Sequence, residues 1–558
     1  MSNRNRLFYG DNLEVLRRKI ASESVDLCYI DPPFNSKRNY FQIYNNQGGE
    51  DTAQAQAFVD TWEWGDEADA GLAYILDINN LNSGKLTEQT VALIRGLHEV
   101  LKQGALFAYI VHMTLRIVEI HRVLKKTGSF YLHCDPTASH YLKLVCDAIF
   151  CAQSGDFKNE IIWKRTTAHS DGNRCGRIHD TILFYTKSNI YTWNDIYQPY
   201  EQEYIDKYYR YVDSDGRKYA SQDVAAAGPG PARYFNGVLR EPPQNSHWRY
   251  SQDKIDQYIK EGRIFFTKNG FPRFKRYLED MPGMVAQDIW ADKGVQPVVS
   301  WSSEGLGYPT QKPEGLLERI IKASSNEGDA VLDAYCGCGT AVAVAQRLNR
   351  QWIGIDITYQ SISLILKRLA DQYKEQWDKI EPTIQLDGVP RDMKSAVALA
   401  NRKDDKTRKE FEKWAVLTWS RNQARINEKK GGDGGVDGIA HFLANRDNSG
   451  KDTLGKIIIS VKSDKIVQPG YVDQLAGTMA RESAELGVLL CLNQPSDGVY
   501  KRARAYGKYT HPLLDREYDS LKIVTIEEVL GGVRMELPMV RDAVKSAKSV
   551  SADQYDLI

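Results

Sequence analysis

No apolar run in the 558-residue sequence approaches the length of a membrane span, and the polar start MSNRNR has no signal-peptide pattern. Cysteine is scarce, eight residues in all, which excludes a disulfide framework for so long a chain and points to a reducing cytoplasm. Net charge is absent as well: 73 Lys and Arg balance 73 Asp and Glu, so any basic surface for nucleic acid has to be local. There is no GxGxxG turn and no lysine-bearing phosphate loop, which disfavours NAD and nucleoside triphosphates. Cys336 and Cys338 have no second pair nearby and read as small packing residues rather than zinc ligands. One core cannot serve such a length, so roughly two to four domains are expected.

What is present is organised around Asp31-Pro32-Pro33-Phe34, directly after the apolar run Val25–Ile30. The run reads as a buried strand that the two prolines terminate. A carboxylate, a carbonyl and an aromatic ring are thereby held on a stiff turn at a strand's C-terminal edge, where open α/β sheets place their ligands. Such a turn suits a flipped-out base, with oxygens accepting from an exocyclic amino group and the ring stacking on the base. An ordinary strand-ending turn would look the same in isolation, so the weight passes to the other motifs.

Strand-like and helix-like stretches alternate from LFYGDNL (6–12) onward: LEVLRRKI, the Asp31 strand, a helical pattern over 88–125 stopped at Gly128, SFYLHCD (129–135), HYLKLVCDAIF, NEIIWKR (159–165) and HDTILFYTK (179–187). That alternation predicts a doubly wound sheet. It breaks between 188 and 305, where tyrosines such as Tyr204, Tyr208 and Tyr211 precede Arg233, Arg240 and Arg249. Aromatics interleaved with Arg and Lys suit a nucleic-acid surface, although a Tyr-rich packed insert has the same composition.

Order returns at Gln311-Lys312-Pro313, which opens a helix. Ala330-Val331-Leu332-Asp333 reads as a strand, Cys336-Gly337-Cys338-Gly339-Thr340 as a glycine turn opening a small-residue helix, and Trp352-Ile353-Gly354-Ile355-Asp356 as a strand ending in an acid. This is a nucleotide-type unit: glycine admits a close ligand, and the terminal acid can accept from two ribose hydroxyls. A charged helical linker over 371–407 follows. From 408 the helix EFEKWAVLTW leads to the glycine-rich turn before Asp437 and then to the strand KIIISVK, ending at Lys462. Carboxylates after such a turn can hold Mg²⁺ while a lysine positions water at a phosphodiester. A hairpin with an exposed lysine is the plain alternative.

Together these residues resemble the amino-methyltransferases of DNA, in the circularly ordered β-class whose catalytic tetrapeptide precedes its cofactor motif. Four stations over residues 1–370 fall in one order: DPPF at 31–34, the QKP helix at 311–313, the Asp333-to-Thr340 turn, and Asp356. The resemblance implies a Rossmann-like AdoMet-dependent fold with a target-recognition insert, with S-adenosyl-L-methionine as methyl donor. It implies Asp31, Pro32, Pro33 and Phe34 as catalytic residues. Asp11, Lys312, Asp333, Cys336, Gly337, Gly339, Thr340 and Asp356 are implied on the cofactor. A DPP-aromatic start favours adenine N6 over cytosine N4.

The last domain resembles the Mrr-like restriction endonucleases, a branch of the PD-(D/E)xK nucleases. Asp437 falls at the metal-binding acid, for Mg²⁺, and Lys462 at the catalytic lysine. Ser460 stands where an acid or glutamine is expected. The domains expected are a catalytic half (1–187), a target-recognition insert (188–305), an AdoMet half (306–370), the linker (371–407), the nuclease-like domain (408–540) and a polar tail (541–558). Double-stranded DNA is the expected partner, in a restriction-modification or defence setting, with a homodimer or a separate restriction or helicase subunit as assembly. The rivals are an N4-cytosine methyltransferase with an inactive tail, a methyltransferase of RNA or of a protein amide, and a DNA-binding specificity or regulatory protein.

Overall fold

The computed structural model describes residues 5–33, 64–166, 173, 175–298, 304–306, 311–401, 405–421, 423–426, 435–446, 452–512 and 514–534, together with the strands 38–42 and 55–60. Phe34, the Gly431-to-Gly434 turn and the 541–558 tail lie outside them.

Nine strands form the principal sheet. In chain order they are β1 (Asn5–Tyr9), β2 (Val25–Ile30), β3 (Leu124–Cys134), β4 (Asp156–Lys164), β5 (His179–Thr186), β6 (Ile289–Trp290), β7 (Ala330–Asp333), β8 (Gln351–Asp356) and β9 (Ile384–Asp387). Their order across the sheet is β6-β4-β5-β3-β2-β7-β8-β1-β9. The run β3-β2-β7-β8-β1-β9 is parallel throughout, and β5 is antiparallel to both its neighbours. The apolar strands explain this placement: all six residues of β2 are buried, as a strand covered on both faces requires.

Five helices bear on the site: α1 (Asn12–Lys19), α2 (Ala105–Val123), α3 (Glu314–Ser324), α4 (Thr340–Arg347) and α5 (Tyr359–Gln372). The last three are stapled together by Glu314. Its Oε1 accepts from Arg368 at 2.6 Å and its Oε2 from Arg347 at 3.2 Å, and Arg368 is fully buried.

Two details differ from the sequence expectation. The helical pattern over 88–125 is two helices, Glu88–Leu101 and α2, and Gly128 lies inside β3 rather than at a helix end. A Cβ at Gly128 would stand 2.9 Å from the Lys125 carbonyl oxygen and 3.2 Å from that of Asp26, so glycine there serves backbone approach. Residues 384–387, within the expected linker, form the edge strand β9 beside β1.

A separate compact unit spans 195–287, within the 188–305 insert expected from sequence. Its four-stranded sheet is antiparallel, and Val224, Phe235, Trp248, Ile255, Ile264 and Phe274 form its core. Tyr200 and Tyr204 stack at 4.9 Å, while Tyr204, Tyr208, Tyr211 and Tyr234 remain exposed.

The C-terminal segment opens with α6 (Asp405–Ser420) and forms a five-stranded sheet of β10 (Arg425–Ile426), β11 (Gly438–Arg446), β12 (Asp452–Lys462), β13 (Leu486–Cys491) and β14 (Leu521–Thr525), in that order. The pair β11/β12 is antiparallel, and β12, β13 and β14 run parallel. A further helix, α7 (Gly470–Arg481), crosses over from β12 to β13. The fold is thus mixed α/β in both halves.

Candidate active site

Asp31, Asp333, Asp356 and the Gly10-Asp11 turn lie at the C-terminal ends of four consecutive parallel strands, β2, β7, β8 and β1. Ligand crevices of open sheets lie along this edge, where the strand order reverses. The chain reaches the two central strands, β2 and β7, roughly three hundred residues apart, so the catalytic and cofactor motifs meet only in the folded state.

Asp31 is mostly buried. Its Oδ2 accepts from Lys312 Nζ at 2.5 Å, while Oδ1 is buried with no hydrogen-bond partner among the described residues. A buried carboxylate oxygen without a donor is costly unless a ligand supplies one. Pro32 beside it is buried and Pro33 half-buried. Lys312, expected on the cofactor, is placed on the Asp31 carboxylate.

Asp333 is 5% exposed, and its Oδ1 accepts from the Tyr335 amide at 3.0 Å. Burial, reinforced by the Asp31 and Asp356 carboxylates, pushes it up to about 8 despite that amide. Burial likewise raises Asp356 to about 6, although Thr358 and the Gly337 amide donate to it. Ionising all three acids together at the strand ends beside Lys312 is costly, and a cationic ligand there relieves that cost.

The glycine turn connects these groups. The Gly337 N–H donates to Asp356 Oδ2 at 2.9 Å, and Thr340 Oγ1 donates to the Lys312 carbonyl at 3.2 Å. Cys336 and Cys338 are buried, with Cys338 Sγ 3.7 Å from Thr340 Oγ1. Gly339 has φ +74°, and a Cβ there would stand 2.5 Å from Ile365 Cγ1. Gly339→Ala is therefore expected to cost about 2–4 kcal/mol, from left-handed strain plus overpacking. A thermal melt reads this directly, and an unchanged melting temperature would contradict it.

Asp11 caps α1, its Oδ1 accepting from the Glu14 amide at 3.1 Å, and its Oδ2 accepts from Arg116 at 2.8 Å. Arg116 is a residue that sequence reasoning missed. It sits mid-helix in an apolar stretch, is 4% exposed, and also donates to Asn12 at 2.5 Å. Asn12 in turn donates to the Ala334 carbonyl, which ties the Asp11 turn to the Asp333 turn. An arginine within so apolar a helix was the available signal. A second missed group lies behind Asp31: His133 Nε2 is 3.2 Å from Asp180 and its Nδ1 3.0 Å from Tyr29 Oη, all buried.

In the C-terminal domain, Asp437 Oδ2 accepts from the Val461 amide at 2.7 Å and from Ser460 Oγ at 3.2 Å. Ser460, Lys462, Tyr471, Gln474 and Arg481 line a cavity of about 420 Å³. Lys462 Nζ lies 5.4 Å from the Tyr471 ring centre. The structure therefore brings Asp437, Ser460 and Lys462 together.

Comparison with known proteins agrees with this division. A family model described as DNA methylase matches residues 25–367, and one described as restriction endonuclease matches 404–517. The type II methyltransferase M.EcaI of Enterobacter cloacae is 32% identical over 269 residues, covering 47% of this chain and 58% of that protein. The Mod subunit of the type III restriction-modification enzyme StyLTI of Salmonella typhimurium is 24% identical over 366 residues, covering 62% and 50%. The DNA adenine methyltransferase YhdJ of Escherichia coli K12 is 25% identical over 365 residues, covering 65% and 82%. The chain spans only a little over half the length of the first of these and half of the second. With the first model covering more than half of its residues, the chain belongs to the DNA methylase family.

Proposed function

We propose that the chain transfers a methyl group from S-adenosyl-L-methionine to the exocyclic amino group of a flipped base in double-stranded DNA, adenine N6 being favoured. The observation that carries this is the row of acids at adjacent strand ends, with Asp31 Oδ1 buried and unpartnered among the described residues, next to the Asp333 and Asp356 turns. The residues fit this donor, because its cationic sulfonium offsets the excess of buried carboxylates. When bound, it supplies an electrophilic methyl group.

The chain's own groups do the positioning. Asp356 would hold the ribose hydroxyls and Asp333 the charged end, with the 337–339 turn admitting close approach. Lys312 anchors Oδ2 of Asp31 and so sets the direction of Oδ1. Oδ1 and the Pro32 carbonyl accept from the amino N–H groups, which aims the nitrogen lone pair at the methyl. Oδ1 is also the acceptor for the proton that the nitrogen sheds after transfer. Phe34 would stack on the base, and the exposed tyrosines of unit 195–287 would face the duplex. Competition between duplex DNA and RNA of the same sequence tests the substrate: labelled methyl in RNA alone would overturn the DNA assignment.

The setting is restriction-modification or a related defence, as the name of the StyLTI Mod subunit indicates for that protein. All eight cysteines are free thiols, which fits action in the cytoplasm. Among the described residues no helix is long and apolar enough to cross a membrane. Assembly as a homodimer or with a separate restriction or helicase subunit belongs to the same proposal.

For the C-terminal domain we propose Mg²⁺-dependent DNA cleavage. Mg²⁺ keeps several waters and needs one or two carboxylates. Asp437 supplies one, bonded to Ser460, which lines the same cavity as Lys462. The metal would offset charge on the phosphodiester, while Lys462 would position water. Asp437→Ala and Lys462→Ala are each expected to abolish Mg²⁺-dependent cleavage and to spare methyl transfer. A supercoiled plasmid assay with and without Mg²⁺ checks this, and cleavage at full rate by Asp437→Ala would remove the metal role.

A further inference from the structure

The first helix of the segment that matches the endonuclease model, α6, reaches the methylase sheet through one buried carboxylate. Glu410 is 8% exposed. Its Oε2 accepts from Tyr9 Oη at 3.2 Å and from the Tyr359 backbone N–H at 2.9 Å, and its Oε1 accepts from Lys413 at 2.9 Å. A second contact runs beside it, with Tyr359 Oη 3.0 Å from Thr418 Oγ1. The Tyr9 and Tyr359 rings meet edge to face at 6.0 Å.

What Glu410 holds is specific. Tyr9 ends β1 and directly precedes the Gly10-Asp11 turn. Tyr359 is the first residue of α5, three positions after Asp356. These two segments carry acids assigned above to the methyl donor. They also touch each other, since the Gly10 N–H donates to the Asp356 carbonyl at 2.9 Å. A carboxylate on the first free N–H of a helix satisfies an orphan donor and interacts favourably with the helix dipole. Without it the Tyr359 amide is buried with its acceptor gone, and the turn from Asp356 to Thr358 is free to shift. That turn sets Asp356, whose Oδ1 accepts from the Thr358 amide at 2.9 Å.

We infer that Glu410 is a positioning residue of the methyl-donor site supplied by the endonuclease-like domain, so that donor binding and docking of α6 strengthen each other. The inference rests on the methyl-transfer reading. It predicts more than adhesion between domains, because losing a merely adhesive contact lowers stability and leaves donor affinity untouched. Coupling of this kind is reciprocal: whatever factor Glu410 adds to donor affinity, the donor returns as tighter docking of α6.

The test uses the full chain and AdoMet titrated by calorimetry. Glu410→Ala is expected to weaken AdoMet binding about tenfold. In methyl transfer the loss falls on KM for AdoMet rather than on kcat at saturation. Glu410→Gln keeps an oxygen for the Tyr359 N–H and recovers most of the affinity. In the unaltered chain AdoMet slows amide hydrogen exchange across 405–420, and Glu410→Ala removes that slowing. Unchanged affinity in a cooperatively folding Glu410→Ala overturns the inference. If that variant does not fold, the unaltered chain decides, since exchange across 405–420 that ignores AdoMet overturns it equally. Failure of the unaltered chain to bind AdoMet overturns the methyl-transfer reading itself, and this inference with it.

Discussion

Asp31→Ala is expected to lower methyl transfer on the order of 10³-fold or more while AdoMet still binds. The substitution removes the oxygen poised for the amino group and leaves the Asp333 and Asp356 turns in place. It also takes from Lys312, which is 8% exposed, its ion-pair partner Asp31. Removing one partner of a buried ion pair costs about 3–5 kcal/mol, so lost activity and lost stability have to be told apart. The double substitution Asp31→Ala with Lys312→Met separates them: the melting temperature recovers and methyl transfer does not. Calorimetry with AdoMet and a labelled-methyl assay on the same preparations give both readings. Full activity in Asp31→Ala would end the assigned role.

AdoMet binding is expected to tighten with rising pH by up to about tenfold per unit below pH 8, and to level off above it. In the free chain Asp333 holds its proton up to about pH 8, chiefly because it is buried and then because Asp31 and Asp356 repel its ionised form. A bound cation favours the ionised carboxylate. Binding near neutral pH must therefore release a proton, and raising the pH removes that cost. Asp333→Asn, which keeps the shape and cannot titrate, binds more weakly at high pH and shows a flatter profile. Calorimetry in buffers of different ionisation enthalpy counts the released proton directly. Binding that weakens from pH 6 to pH 8 in the unaltered chain would contradict the electrostatic account.

Much of the site was legible because its acids stand at the ends of apolar runs. Asp31, Asp333 and Asp356 each close a strand whose residues are almost all buried, and a strand end is a local property. The neighbourhood of those strands is not local. That β7 inserts between β2 and β8 shows only in the folded sheet. Lys312 illustrates the gap: its motif was visible, but its contact with Asp31 spans most of the methylase part of the chain. His133 with Asp180, and Glu410 with Tyr9 and Tyr359, are buried polar groups that meet across different elements, so nothing in their own neighbourhoods marked them, and Arg116 was marked only by the apolar helix around it. Strand β9 escaped notice because four residues, Ile-Gln-Leu-Asp, are too few to show a period.

The central claim meets its most direct test in methyl transfer from labelled AdoMet to mixed-sequence duplex DNA, followed by digestion to nucleosides and chromatography. The account predicts label in N6-methyladenine. Label confined to N4-methylcytosine would contradict the choice of base, and no label in DNA from a chain that binds AdoMet would contradict the reaction.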